Sequence, residues 1–301
     1  MRLIKKLVYF PLGLSHNISP FKAALLVTER CNSRCQFCYV WKNTNIKDLP
    51  TEKWFEILDK LWVFGIKELS FHGGEPLLRK DLLELNAYAK KKGFKTQIIT
   101  NGILTTDYSQ FDLVIFSLDG IKEETHNFLR GVNLYKSLMK NIDKALKMTK
   151  VGISTVITDI NNKEIREIIK FCTRKGIKYM NACPMRPLGV KDYEKKEHLI
   201  SKIEEVRKET LKNIDFAKKK GIKFSINKHQ LNLILDRVRG DTKYIKCYTV
   251  NDDCIIDSQG TFFFCCGALP SPFSVLETKN IKKEWIKKIK KLNFNNKICN
   301  S

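Results

Sequence analysis

The chain has 301 residues, 43% of them hydrophobic and 29% charged, which suits one large domain, or a large domain with an appendage, and excludes an intrinsically disordered chain. The formal net charge of +23 comes from 55 Lys and Arg against 32 Asp and Glu. The excess is lysine spread along helical faces such as Lys90-Lys91-Lys92, Lys218-Lys219-Lys220 and Lys287-Lys288, with few aromatics between them, which favours solvated faces over a dedicated polyanion site.

The apolar stretch Leu3–Leu14 is interrupted by Lys5 and Lys6 and contains Pro11 and Gly13, so it does not read as a membrane-spanning helix. No small-residue cleavage site follows it, and cytoplasm is the expected compartment. Ten cysteines in a chain of this size and compartment, three of them within eight residues, point to metal binding rather than disulfides.

From Ala23 onward, β-branched runs alternate with stretches of helical period, the pattern of repeated βα units. Strands are expected at Ala24–Thr28, Ile66–Phe71, Lys95–Thr100, Leu113–Leu118, Gly152–Ile157 and Ile177–Cys183. Helices are expected from Thr51 to Phe64, from Asp81 to Gly93, over Leu134–Met148 and over Asn162–Lys175. The result is an α/β fold, a partial (β/α)6 TIM-like barrel of parallel strands. The long charged stretch Tyr193–Lys220 and the short run Ile222–Ile226 should pack on its flank. Cysteines cluster again from Asp241, so the expected division is an extension at 1–21, a core at 22–240 and a small cysteine-rich auxiliary domain at 241–301.

Cys31, Cys35 and Cys38 follow the first strand, at the end where a barrel of this kind displays reactive groups. Three close thiolates leave a structural zinc site one ligand short, whereas a [4Fe–4S] cluster on three cysteines keeps one iron open. A buried cysteine stripe at i, i+4 and i+7 of a helix is the plainer alternative, but the neighbours Asn32, Ser33, Arg34 and Gln36 are polar and suit a loop. His72-Gly73-Gly74-Glu75-Pro76 follows the second strand, where glycines let a ligand approach the backbone and a carboxylate can receive an ammonium. Thr100-Asn101-Gly102 and Ser117-Leu118-Asp119-Gly120 put polar side chains at the next two strand ends, and each taken alone reads as a turn.

Cys31-x3-Cys35-x2-Cys38, with aromatics at Phe37 and Tyr39, resembles the signature of the radical S-adenosylmethionine (SAM) superfamily, and Gly73-Gly74-Glu75-Pro76 resembles its GGEP motif. The resemblance implies that the three cysteines hold a [4Fe–4S] cluster whose open iron chelates SAM, which is cleaved to methionine and a 5′-deoxyadenosyl radical. It further implies that Phe37 and Tyr39 belong to the cofactor site, Tyr39 near the adenine, and that Gly73 and Gly74 present backbone atoms to the SAM amine with Glu75 close by. Asn101, Ser117 and Asp119 would fall at ribose- and carboxylate-contacting positions, with Arg130 pairing the SAM carboxylate. His126 and Arg130 complete a pattern found in relatives that modify peptides, and Ser154, Thr155 and Val156 lie where the family packs adenine. Cys172 and Cys183 are read as structural cysteines, and no side chain stands out as a catalytic acid or base.

Cys247-x6-Cys254, Gly260-x4-Cys265 and distant Cys299 resemble the start of the auxiliary SPASM or twitch domain, with Cys266 as a substitute ligand. The resemblance implies one auxiliary [4Fe–4S] cluster on Cys247, Cys254, Cys265 and Cys299; a zinc site on the same thiolates stays open. The further cysteines of the full pattern are missing, which fits a one-cluster form or a truncated sequence. The expected activity is radical modification of a peptide or protein, with an external electron donor such as flavodoxin or ferredoxin. The alternatives are the same chemistry on a small molecule, nucleotide or lipid and, from another class, a non-catalytic iron–sulfur or zinc protein that binds nucleic acid.

Overall fold

The computed structural model describes residues 20–43, 47–185, 200–239, 253–264 and 272–291. In chain order the elements are β1 (Lys22–Leu26), α1 (Thr51–Phe64), β2 (Glu68–His72), α2 (Leu82–Lys91), β3 (Lys95–Thr100), β4 (Leu113–Ser117), α3 (Glu123–Arg130), α4 (Tyr135–Leu146) and β5 (Val151–Ile157). There follow α5 (Ile165–Arg174), β6 (Tyr179–Pro184), α6 (Ile203–Lys219), β7 (Lys223–Phe224), α7 (Lys228–Val238), β8 (Asp253–Ile256), β9 (Thr261–Phe264), β10 (Phe273–Ser274) and α8 (Ile281–Lys291). Among the described residues no helix is long and apolar enough to cross a membrane.

The strands form one open sheet in the order β10-β9-β8-β1-β2-β3-β4-β5-β6-β7. Strands β1 to β7 are parallel, the arrangement that helical crossovers impose. Helix α1 shows why the sequence builds such units: Trp54, Ile57, Leu58, Leu61 and Phe64 recur at helical spacing and are buried, and Gly65 ends the helix in the left-handed conformation.

Register assigns each strand two faces of opposite character. Leu25, Phe71, Ile98, Phe116, Ile153 and Met180 alternate outward into one large apolar core beneath the helices. The residues between them turn to the concave face, where Ala24 pairs with Ser70, Ser70 with Gln97, Ser117 with Ser154 and Ser154 with Asn181. A buried parallel strand normally reads as a continuous apolar run, so this polar inner row reads as the wall of a working cavity.

The structure departs from the sequence expectations in three places. The run Ile222–Ile226, expected on the flank, supplies β7 as a seventh parallel strand beside β6. The segment from 253, expected as a small separate domain, adds β8 to the free edge of β1 in parallel and then β9 and β10 in antiparallel, all within the barrel's own sheet. Its aromatics close over α1, with Phe64 packed edge-on against Phe262 and Trp285, and Lys60 Nζ donates to the Val275 and Leu276 carbonyls at 3.1 and 2.6 Å. Third, α3 and α7 were not expected: α3 buries only His126, Leu129 and Arg130, whereas α7 carries Leu231, Ile234, Leu235 and Val238 at helical spacing, a stripe that the sequence reading passed over.

Candidate active site

The cysteine loop after β1 is strung between two other stretches at the C-terminal ends of the strands. On one side Gly74 N–H and Glu75 N–H donate to the Thr28 and Arg30 carbonyls, each at 2.8 Å. On the other side Arg34 N–H and Gln36 N–H donate to the Arg130 and Leu129 carbonyls at the end of α3, at 3.0 and 2.9 Å. These approaches require glycine: a Cβ at Gly73 would lie 2.1 Å from the Thr28 oxygen, at Gly74 2.3 Å from the Arg30 oxygen, and at Gly131 (φ +66°) 2.2 Å from the Arg34 oxygen. The GGEP turn and the Arg130-Gly131 step therefore act first as braces for the loop.

Cys35 is buried, and Cys31 and Cys38 are half-buried. Burial pushes the Cys31 thiol up and the Cys35 thiol up to about 11, and the neighbouring cysteines push the same way. Arg130 opposes the rise at Cys35, with Nη1 3.7 Å from Sγ and the guanidinium 5.5 Å from the centre of the Phe37 ring. Trp41 Nε1 donates to the Cys38 carbonyl at 3.0 Å and lies 3.4 Å from that of Cys35, which fixes the far side of the loop.

Behind the loop lies a dry polar layer. Glu75 is fully buried and accepts from Leu77 N–H at 3.1 Å, Thr100 Oγ1 at 2.8 Å and Asn101 N–H at 2.8 Å. Burial pushes its carboxyl up to about 7, against these three donors and Arg130, which favour the anion. Asn101 Nδ2 in turn donates to Asn32 Oδ1 and Ser33 Oγ at 2.7 and 3.0 Å. Asp119, also fully buried, pairs with Arg130 at 2.6 Å and accepts from Val156 N–H at 2.8 Å; burial raises its carboxyl and Arg130 opposes the rise. His126 Nδ1 accepts the Asp119 N–H at 3.0 Å, which makes this imidazole neutral with its proton on Nε2, and burial with Arg130 holds its pKa down near 3.

The structure thus brings Phe37, Gly73, Gly74, Glu75, Asn101, Asp119 and Arg130 together around the three cysteines. Glu75, Asp119 and Arg130, expected to face a cofactor, spend their bonds on one another's loops and strands. Ser117 lies on the concave face at the end of β4, and Tyr39 is exposed. Phe37 and Val156 pack with Leu129, Met185 and Ile200 in a small apolar cluster beside the site. Thr155, grouped with Ser154 and Val156 on the sequence, turns to the outer face and donates to the Leu118 carbonyl at 2.7 Å, because neighbouring strand residues point to opposite sides. Sequence reasoning missed Thr100, Asn32, Ser33 and Asn161, whose Nδ2 donates to the Asp119 carbonyl at 2.6 Å. Thr100 ends β3, Asn32 and Ser33 lie within the cysteine loop and Asn161 follows β5, places that a residue list without long-range pairing does not rank.

In the C-terminal segment Cys247, Cys265, Cys266 and Cys299 lie outside the described residues. Cys254 points from β8 into the apolar core, its thiol 3.5 Å from the Lys22 carbonyl and raised in pKa by burial. At that position the thiol is enclosed among apolar side chains. The same segment reaches the cysteine loop directly: Ser258 Oγ and Asn43 Nδ2 both donate to Glu29, at 2.8 and 2.6 Å.

The residues fit an iron–sulfur cluster with SAM. Three thiols share one braced loop, a cation touches one of them, and among the described residues the buried Nε of Arg130 has no protein partner. Among the described residues no three metal-binding side chains converge on a single ion. A cluster places no such demand, because each cysteine binds a different iron.

Fold and loop together define a SAM-dependent iron–sulfur enzyme of the partial-barrel type. Residues 25–172 match the family described as the Radical SAM superfamily, whose members use a [4Fe–4S] cluster and SAM. A nucleotide dehydratase of Selenomonas ruminantium that depends on SAM is 31% identical over 167 residues, covering 50% of this chain and 61% of that protein. A probable GTP 3′,8-cyclase of Sulfurisphaera tokodaii is 27% identical over 205 residues, covering 64% and 65%. These matches span under two thirds of either relative's length. Among solved structures, Streptococcus suis SuiB bound to the precursor peptide SuiA aligns over 92% of this chain and 67% of its own, with a TM-score of 0.72 at 18% identity, which shows a shared fold.

Proposed function

We propose that this chain abstracts a hydrogen atom from a peptide or protein substrate held against the concave face of the sheet. When bound, the cluster and SAM supply one electron and a 5′-deoxyadenosyl radical. The chain's own part is positional. Cys31, Cys35 and Cys38 hold the cluster, the braced Gly73-Gly74 backbone offers polar groups to the SAM amine, and Phe37 and Val156 offer an apolar surface to the adenine.

One observation carries the choice of substrate: across the middle of the strands the concave face is lined by the neutral groups Ser70, Gln97, Ser154 and Asn181, with Ser117 at the end of β4. On this face the charged members Lys22, Glu68, Lys95, Lys223 and Asp253 stand at the opposite ends of their strands, and Lys22 and Glu68 pair with each other at 2.5 Å. A neutral, amide-like lining matches peptide groups better than a polyphosphate, whose recognition calls for cations. The second reading, a nucleotide substrate, rests on the names of the sequence relatives. The C-terminal cysteines Cys247, Cys254, Cys265 and Cys299 would hold an auxiliary cluster, and an external flavodoxin or ferredoxin would supply electrons.

The test uses anaerobically reconstituted protein with dithionite and SAM, and quantifies 5′-deoxyadenosine with a pool of capped tripeptides or with GTP added. Stimulation by the peptides alone is the expected result; stimulation by GTP alone overturns the peptide reading. Cleavage that survives Cys35→Ala would sink the cluster assignment. About eight irons per chain would support the auxiliary cluster, and about four would remove it.

A further inference from the structure

The concave face carries a bonded row of three side chains that the cysteine loop does not use. Gln97 Nε2 lies 2.9 Å from Ser70 Oγ, and Ser70 Oγ lies 2.6 Å from His72 Nε2. An amide nitrogen can only donate, so the serine oxygen accepts from Gln97; its second lone pair and its proton allow the contact with His72 Nε2 in either direction, and the direction that keeps the serine proton bonded within the row has Ser70 donating. With Nε2 accepting, the imidazole is neutral and its own proton sits on Nδ1. Among the described residues Nδ1 bonds to no protein group, and it is not one of the enclosed polar atoms, so it lies on the accessible part of a half-buried ring.

The row stands beside the chemistry. His72 is the last residue of β2 and precedes Gly73-Gly74, its partner across the ladder is Leu26 of β1, and its carbonyl receives Val27 N–H at 3.0 Å just ahead of the cysteine loop. Its surroundings on the concave face are Leu26, Ile99 and the hydroxyl and amide groups named above, which leave Nδ1 as the ring atom free to meet a bound molecule. Burial keeps the ring neutral, with a pKa held down to about 4, so the donor persists at any working pH.

We propose that His72 is a substrate-binding residue, its Nδ1–H donating to a carbonyl oxygen of the substrate, and that Ser70 and Gln97 are positioning residues that fix its tautomer. This rests on the peptide reading above and specifies where a peptide group is held. The relay explains why a serine, a histidine and a glutamine occupy a face that a purely structural strand would fill with aliphatic side chains.

Two readouts test it on the full, reconstituted chain. The first is the nitrogen NMR spectrum of protein labelled at histidine: His72 should show the Nδ1–H tautomer in the wild type, and Ser70→Ala should shift it toward Nε2–H. The second is 5′-deoxyadenosine formation with the capped tripeptide pool. His72→Phe should raise KM for the peptides about tenfold, the worth of one neutral hydrogen bond. KM for SAM should stay unchanged, and His72→Gln, which keeps an N–H donor, should recover part of the loss. Wild-type His72 in the Nε2–H tautomer, or an unchanged peptide KM in His72→Phe, overturns the proposal. A pool that fails to stimulate the wild type overturns the peptide reading itself, an outcome distinct from a pool that works equally on both proteins.

Discussion

The two faces of the same strands answer to different demands. Outward, Leu25, Phe71, Ile98, Phe116 and Ile153 are wholly buried under the helices, and they supply the apolar area that holds the sheet. Inward, one residue along in each strand, Ser70, His72, Gln97, Ser154 and Asn181 bond one another or open onto the cavity. Stability thus resides on one side of a pleat and recognition on the other, and a strand can change its substrate without losing its packing.

The largest expected effect tests that division directly. Phe116 is fully buried and packs edge-on to Tyr108 with ring centres 5.6 Å apart, so Phe116→Ala should cost about 3–5 kcal/mol in urea unfolding. Ser154→Ala, one face over on the neighbouring strand, should change stability by no more than about 0.5 kcal/mol. Comparable losses for the two would abolish the distinction between the faces.

A second prediction concerns the layer between loop and core, where polarity itself is structural. Both Glu75 oxygens accept from backbone N–H groups, so Glu75→Gln must set its NH2 against one of them. The loss should be about 2 kcal/mol of stability in the cluster-free protein, the penalty of one unpaired buried donor. Full stability in this variant at pH 8, above the raised pKa of about 7, would mean that the carboxylate is not the acceptor of both N–H groups.

Much of this was legible in the sequence. The cysteine spacing, the alternation of strand and helix and the glycines at strand ends were plain, because each is a local pattern with a local cause. What escaped were facts of register and long-range pairing. Thr155 and Ser154 are adjacent in sequence and face opposite ways, and a one-residue parity decides which of them meets the cavity. Helix α3 carries only His126, Leu129 and Arg130 as buried residues among eight, so its role in bracing Arg34 and Gln36 had no apolar stripe to announce it. Strand β8 reads as an isolated short run until β1 is seen to have a free edge.

The smallest expected effect separates the two kinds of buried titratable group by the sign of their pH dependence. His126 accepts the Asp119 N–H through Nδ1 and has its pKa held down near 3, so it takes up a proton in the unfolded chain long before it does in the folded one. Its contribution to stability is full above pH ~6.5 and is lost as the pH falls toward 3, with a slope of at most about 1.4 kcal/mol per pH unit. Glu75, with its pKa raised to about 7, works in the opposite sense: its contribution is full below pH ~4.5 and is lost as the pH rises to 7. His72 adds to the histidine side, so the wild-type curve between pH 4.5 and 6.5 is a net of opposed terms and its slope alone says little. The difference between wild type and His126→Gln, whose side-chain oxygen can still accept the Asp119 N–H, isolates one histidine. Urea unfolding of both proteins at pH 7.0 and 5.5 should show the stability gap moving by about 1 kcal/mol in favour of the glutamine on acidification. A gap that stays constant would mean that His126 is protonated in the folded protein too, which would require the Asp119 N–H bond to break.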